Sequence, residues 1–211
     1  MKSRKTIYHL IVDKSGSMYD CIENTINGFN EQVKKIKANE LEFKDEEITI
    51  GLTTFNDHVK HHFFQANPKE VIPLNTRNYV PNGSTALLDA IGKTAEQIES
   101  EIIISNQIIP TTVVIVILTD GYENASKNFN LESVRKMISR LEETGTWTFS
   151  FIGATLDAVD VAKELSIKTH NSFSFDKSEM SSKVWDKLNT SMSSYFDKKS
   201  KGLNTDKLFE D

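Results

Sequence analysis

Apolar residues recur in two rhythms along the chain, and the two alternate. Ile7-Tyr8-His9-Leu10-Ile11-Val12 is a short, β-branched run with little polar interruption, as expected of a strand buried on both faces. Met18, Ile22, Ile26, Phe29, Val33 and Ile36 then fall at helical spacing and predict a long amphipathic helix. A second strand is expected over Ile48 to Phe55, and the Asn56-Asp57 turn signal makes Val59 to Phe64 an antiparallel return. A polar stretch with Pro68, Pro73 and Pro81 leads to a helix expected over Ala86 to Ile104. Thr112 to Leu118 is the most apolar run and the best central strand. Asn130 is placed to cap a helix with Leu131, Val134, Ile138 and Leu141 on one face, ended by Gly145. The pattern closes with a strand over Thr146 to Ile152, a helix over Leu156 to Leu165, a short strand over Asn171 to Phe175 and a helix over Ser178 to Phe196.

Strands alternating with helices of this length predict an α/β, doubly wound fold. The central sheet is expected to be mostly parallel, with helices on both faces and one antiparallel edge strand. No internal repeat interrupts this order. The expected domain is 1–197, with 198–211 a polar, flexible tail.

Size and charge narrow the function. A chain of 211 residues can bury a core as one domain. A formal charge of -5 argues against a nucleic-acid binder, which normally shows a basic face, and permits a cation site. With a single cysteine, Cys21, no intrachain disulfide can form. The apolar run Ile7 to Val12 is too short for a signal peptide and no segment is long enough to span a membrane, so the cytoplasm is the expected compartment.

The chemistry concentrates at the ends of predicted strands. Asp13-Lys14-Ser15-Gly16-Ser17 follows the first strand directly, where open α/β sheets place their ligand crevice. A carboxylate and two hydroxyls at alternate positions of a tight turn can face one cation. Oxygen donors of this kind suit magnesium, manganese or calcium rather than zinc. Thr85 opens a helix after Gly83-Ser84, and Asp120 follows the central strand in Leu118-Thr119-Asp120-Gly121. Taken alone, the first motif also reads as a helix N-cap, with Ser17 or Asp13 serving free amides. Its combination with the other two segments, in this order, favours the metal.

This combination resembles the von Willebrand factor A domain family over about residues 5 to 197. The family's metal ion-dependent adhesion site is an Asp-x-Ser-x-Ser loop with a separate Thr and Asp, matched here by Asp13, Ser15, Ser17, Thr85 and Asp120. The resemblance implies that Ser15, Ser17 and Thr85 bind the metal directly, and that Asp13 and Asp120 do so directly or through water. A sixth position would go to water or to an acidic residue of a partner. The segments from Asn82 to Ala90 and from Phe151 to Ala158 look like those of bacterial or phage intracellular members. Such members often serve as adaptor or assembly subunits.

Other signals weigh less. Gly92-Lys93-Thr94 ends like a phosphate-binding loop, but Leu87 stands where that loop needs glycine. Asp89, one turn after Thr85, could support that hydroxyl. His58, His61 and His62 have no Cys nearby and fit an exposed edge strand better than zinc. Cys21, near a helix start, has no identified base and reads as a packing residue. Tyr122 and Glu123 read as solvent-facing rim residues.

The leading expectation is therefore a non-enzymatic module that binds a partner's Glu or Asp through a divalent metal. The alternative is a magnesium-dependent phosphotransferase or hydrolase of another open α/β family. Haloacid dehalogenase-type phosphatases need a carboxylate two residues after the first aspartate, and Ser15 occupies that place. Receiver domains need an acidic pair there and a mid-domain phospho-acceptor, neither of which is evident.

Overall fold

The computed structural model describes residues 2–105, 109–154, 158–176 and 183–209. Six strands form one sheet: β1 (Arg4–Asp13), β2 (Glu46–Phe55), β3 (Val59–Ala66), β4 (Thr111–Thr119), β5 (Trp147–Gly153) and β6 (Ser172–Ser174). Their order is β3-β2-β1-β4-β5-β6. All neighbours are parallel except β2 and β3, so the antiparallel edge expected from Asn56-Asp57 is present. The helices are α1 (Ile22–Glu42), α2 (Leu87–Ser105), α3 (Leu131–Glu143), α4 (Ala158–Glu164) and α5 (Lys183–Ser200).

Strand periodicity sorts the core into two layers. Tyr8, Leu10 and Val12 of β1 join Val114, Val116 and Leu118 of β4 against α1 and α5. Ile7 and Ile11, with Val113, Ile115 and Ile117, turn to α2, α3 and α4. Both central strands are thus apolar on both sides, as parallel strands covered by helices must be. Asn130 caps α3 by accepting the Ser133 N–H at 2.9 Å, while Ser133 Oγ accepts the Asn130 N–H at 3.1 Å.

Element ends differ from the expected ones. Met18 lies in a 3-10 turn (Gly16–Cys21) that precedes α1. Strands β1 and β2 begin earlier than the apolar runs, at Arg4 and Glu46. Of the extra residues, Lys5, Thr6 and Glu46 are polar yet buried, and a lysine from α5 reaches into the sheet beside Thr6 and Glu46. The expected helix starts at Leu156 and Ser178 lie outside the described residues. Among the described residues, no helix is long and apolar enough to cross a membrane.

The described residues of the tail expected to be loose make contacts with the domain. Helix α5 continues to Ser200, and the Lys199 ammonium contacts Glu46, Thr6 Oγ1 (2.6 Å), Thr112 Oγ1 (2.8 Å) and the Lys5 carbonyl (3.0 Å). Further on, the Leu208 N–H donates to Asn171 Oδ1 at 2.7 Å, and Asn171 Nδ2 donates to the Asp206 carbonyl at 2.7 Å. Leu208 and Phe209 are buried, Phe209 edge-on to Phe173. Two apolar residues in a polar stretch are enough to anchor it once Asn171 satisfies the backbone.

Candidate metal centre

The chain winds outward from β1 through β2 to β3, then returns to β4 on the other side of β1. The crevice above the carboxyl ends of β1 and β4 is therefore a topological switch point, where doubly wound sheets bind ligands. Three loops meet there: Asp13 to Ser17 after β1, Asn82 to Thr85 before α2, and Asp120 onward after β4.

Backbone hydrogen bonds stitch these loops together. The Lys14 N–H donates to the Phe55 carbonyl at 2.6 Å, Asn82 N–H to Lys14 at 3.0 Å, Gly16 N–H to Gly83 at 3.0 Å and Ala86 N–H to Asn56 at 2.8 Å. Gly83 holds φ +74°, and a Cβ there would overlap the Asp57 carboxylate, whose Oδ1 accepts the Ser84 N–H at 3.2 Å. Only glycine suits both demands.

The side chains then converge. Asp13 Oδ1 accepts the Ser15 N–H and Oδ2 accepts the Thr119 hydroxyl, both at 2.6 Å. Ser15 Oγ lies 3.0 Å from Ser17 Oγ, and the Ser17 hydroxyl donates to Asp120 Oδ1 at 2.6 Å. Thr85 is clamped through its backbone: its N–H donates to Asn124 Oδ1 at 2.8 Å and its carbonyl accepts the Asn124 N–H at 3.0 Å. A Cβ on Gly121 would stand 3.1 Å from Thr85 Oγ1, 3.5 Å from Ser17 Oγ and 3.7 Å from Asp13 Oδ2. The missing side chain leaves one point that oxygens from two loops face and the third loop bounds.

Asp13, Ser15, Thr85 and Asp120 are buried, and Ser17 is exposed, so the centre opens to solvent at Ser17. Burial pushes the Asp13 carboxyl up to about 6; hydrogen bonds from Thr119 and Ser15 pull it back in part, and Asp120 raises it further. A cation between the two carboxylates would relieve that repulsion. The donors are carboxylates and hydroxyls, and among the described residues no cluster of three or more His, Cys, Asp or Glu offers a softer alternative. The arrangement fits one small hard cation. The helix-cap alternative for the first motif holds in part: Asp13 Oδ1 does serve a free amide, the Ser15 N–H, while the Ser17 hydroxyl reaches across to Asp120.

Several positioning groups carry no motif of their own. The Tyr79 hydroxyl donates to the Asp13 carbonyl at 2.6 Å. Asn124 holds Thr85, and Thr119 holds Asp13. Only Thr119 and Asn124, flanking Asp120-Gly121, stood near a recognisable signal. Glu123 is not a free rim residue: it accepts the N–H groups of Leu88 (2.9 Å), Ala125 (2.9 Å) and Ser126 (2.7 Å).

The remaining sequence signals resolve as structure. Asp89 Oδ1 accepts the N–H groups of Asn128 (2.8 Å) and Phe129 (2.9 Å), and Oδ2 pairs with Lys93, so it braces the loop after β4 and not the Thr85 hydroxyl. Gly92, Lys93 and Thr94 lie inside α2, with Gly92 against the Phe129 ring. On β3, His61 Nδ1 and His62 Nε2 each bond a threonine of β2, Thr53 (2.9 Å) and Thr54 (2.8 Å), at adjacent positions and so on opposite faces. Cys21 is buried in the α1 and α5 layer.

An open parallel sheet with a hard-oxygen centre at its switch point defines the class of protein. The chain belongs to the von Willebrand factor type A domain family, whose model matches residues 9–190. No curated protein matches it in sequence. Among solved structures, it is similar to the vWF domain of the pilus tip protein Mfa5 from Porphyromonas gingivalis, at TM-score 0.59 and 10% identity over 92% of this chain and 96% of that one. It is also similar to manganese-loaded TRAP protein from Plasmodium vivax (TM-score 0.56, 13% identity, 84% of this chain and 70% of that one). A third likeness is to proximal thread matrix protein 1 of the mussel byssus with a zinc-occupied MIDAS motif (TM-score 0.53, 15% identity, 94% and 46%). The chain spans under half the length of the mussel protein and of a similar archaeal protein from Sulfolobus acidocaldarius. At these identities the likeness establishes the fold.

Proposed function

We propose that Asp13, Ser15, Ser17, Thr85 and Asp120 hold one divalent cation, magnesium or manganese before calcium, and that the protein uses it to bind an acidic side chain of another protein. The observation that carries this reading is the convergence of Thr85 Oγ1, Ser17 Oγ and Asp13 Oδ2 on the space left by Gly121. Support also comes from the manganese and zinc named for two proteins of the same fold. When bound, the metal supplies a positive charge that neutral hydroxyls leave partly uncompensated, so a carboxylate is drawn to it. The opening at Ser17 gives that carboxylate its approach. The role is that of an adaptor or assembly subunit.

The test is recovery of partners from the native host in magnesium, in chelator, and with Thr85→Ala in magnesium. Partners should appear in the first condition and be lost in the other two, while the Thr85→Ala protein keeps its melting temperature. Identical recovery in all three would contradict metal-dependent recognition. Metal-dependent phosphoester hydrolysis abolished by Asp13→Ala would instead favour the enzyme.

The raised Asp13 carboxyl sets a pH dependence. The metal must displace its proton, so affinity is full well above pH 6 and is lost as pH falls through about 6. Manganese affinity is expected to fall about tenfold from pH 7.5 to pH 5, since a group of pKa about 6 is about nine-tenths protonated there. An ordinary aspartate would cost almost nothing over that range. Titration at the two pH values distinguishes them.

A further inference from the structure

Next to the metal centre the structure keeps an apolar cavity of about 200 Å³. Gly121 and Tyr122 of the loop after β4, Leu87 and Leu131 at the starts of α2 and α3, and Val161 of α4 help line it. A dry apolar cavity of roughly 150 Å³ takes up a benzene ring, so this one has room for a leucine or phenylalanine side chain. Gly121 belongs to both places: it borders the point faced by Thr85, Ser17 and Asp13, and it lines the cavity. Leu87 stands two residues after Thr85. Gly121 thus borders both the carboxylate position and the apolar one, so that neighbouring residues of one bound segment can meet the two together.

The mouth is unusual for a surface in water. Tyr122 is 58% exposed and Leu131 41%, so two large apolar side chains flank the opening. The wall is preformed, because Glu123 ties the loop after β4 to the first turn of α2 through the Leu88 N–H. Glu123 and Glu164 at the lining disfavour a second acidic group. The chain's own docked end does not fill it: Leu208 and Phe209 pack in the layer on the opposite face of the sheet.

We propose that this cavity takes an apolar side chain of leucine to phenylalanine size, carried beside the metal-binding acidic residue in the same partner segment. The protein then reads a carboxylate and an adjacent hydrophobe together, which separates its partner from the many acidic side chains on other proteins. The inference rests on the carboxylate-recruiting reading above.

The probes are the peptide Ala-Ala-Glu-Ala-Ala in magnesium, the same peptide with Leu or Phe at each flanking position in turn, and toluene alone. Binding is read from methyl resonances of Leu87, Leu131 and Val161. Toluene should shift those methyls without metal. At one flanking position the apolar residue should strengthen peptide binding roughly tenfold, the worth of burying part of such a side chain. Val161→Phe, which fills the cavity, should remove that gain and leave the all-alanine peptide unchanged, which also shows the variant is folded. A flat series with intact metal-dependent binding of Ala-Ala-Glu-Ala-Ala, or methyls unmoved by toluene, overturns the cavity's role alone. Absence of magnesium-dependent binding by every peptide overturns the carboxylate reading and this inference with it. Self-association abolished by Val161→Phe would assign the cavity to a second copy of the chain and overturn the proposal.

Discussion

Replacing Lys199 with alanine is expected to destabilise the fold by about 3 kcal/mol, the lower end for removing one partner of a buried ion pair. Lys199 ends α5 and sends its ammonium under the sheet, where four acceptors from β1, β2 and β4 share its three N–H donors. Glu46 is almost wholly buried there, so losing the lysine leaves a carboxylate with little water. Arg4, whose Nε lies 3.5 Å from Glu46 Oε2 and which is partly exposed, softens the loss. Urea unfolding should show the midpoint lowered by about 1.5 M, taking a slope near 2 kcal/mol per M. Pairing Lys199→Met with Glu46→Gln should recover much of it, because the buried carboxylate is then gone and only the partly exposed Arg4 loses its ion-pair partner. A midpoint unchanged by Lys199→Ala would mean the pair is solvated.

A second large effect is expected at Gly28. This residue of α1 is buried under α5, and a Cβ there would overlap the Trp185 indole. Trp185 is itself buried in the same layer and has little room to retreat. Gly28→Ala gains up to about 1 kcal/mol of helix propensity, yet overpacking of this kind costs about 1–3 kcal/mol and occasionally more. A net loss of up to about 2 kcal/mol should result. The background decides the mechanism. With Trp185→Leu the same Gly28→Ala change should turn neutral or stabilising, a reversal that a double-mutant cycle reads directly. Equal losses in both backgrounds would rule out the indole as the cause.

Both effects lie where the sequence was hardest to read. The strands and their alternation with helices follow from β-branched runs and helical periodicity, and the central place of Thr112 to Leu118 from its apolarity. The five oxygen donors stood out because they sit at strand ends in a familiar order. Lys199 and Glu46 did not, since charged residues ordinarily stay in solvent and no periodicity marks a buried pair. Leu208 and Phe209 were hidden by their polar neighbours; their anchor is Asn171, distant in the chain. Asp89 has the right helical spacing to serve Thr85, yet its carboxylate is taken by backbone amides of a loop whose path the sequence does not disclose. Asn124 and Tyr79 act on the backbone of Thr85 and Asp13, which any residue would offer, so their roles appear only in three dimensions.

We propose that these donors form one metal centre. Its most direct measurement is manganese titration calorimetry on the unaltered protein, Asp13→Ala and Asp120→Ala, with far-ultraviolet circular dichroism confirming that each is folded. The unaltered protein should bind one ion, and both variants should lose that binding while keeping their helical signal, because the core lies in two layers away from the loops. Equal manganese binding by all three proteins would contradict the assignment.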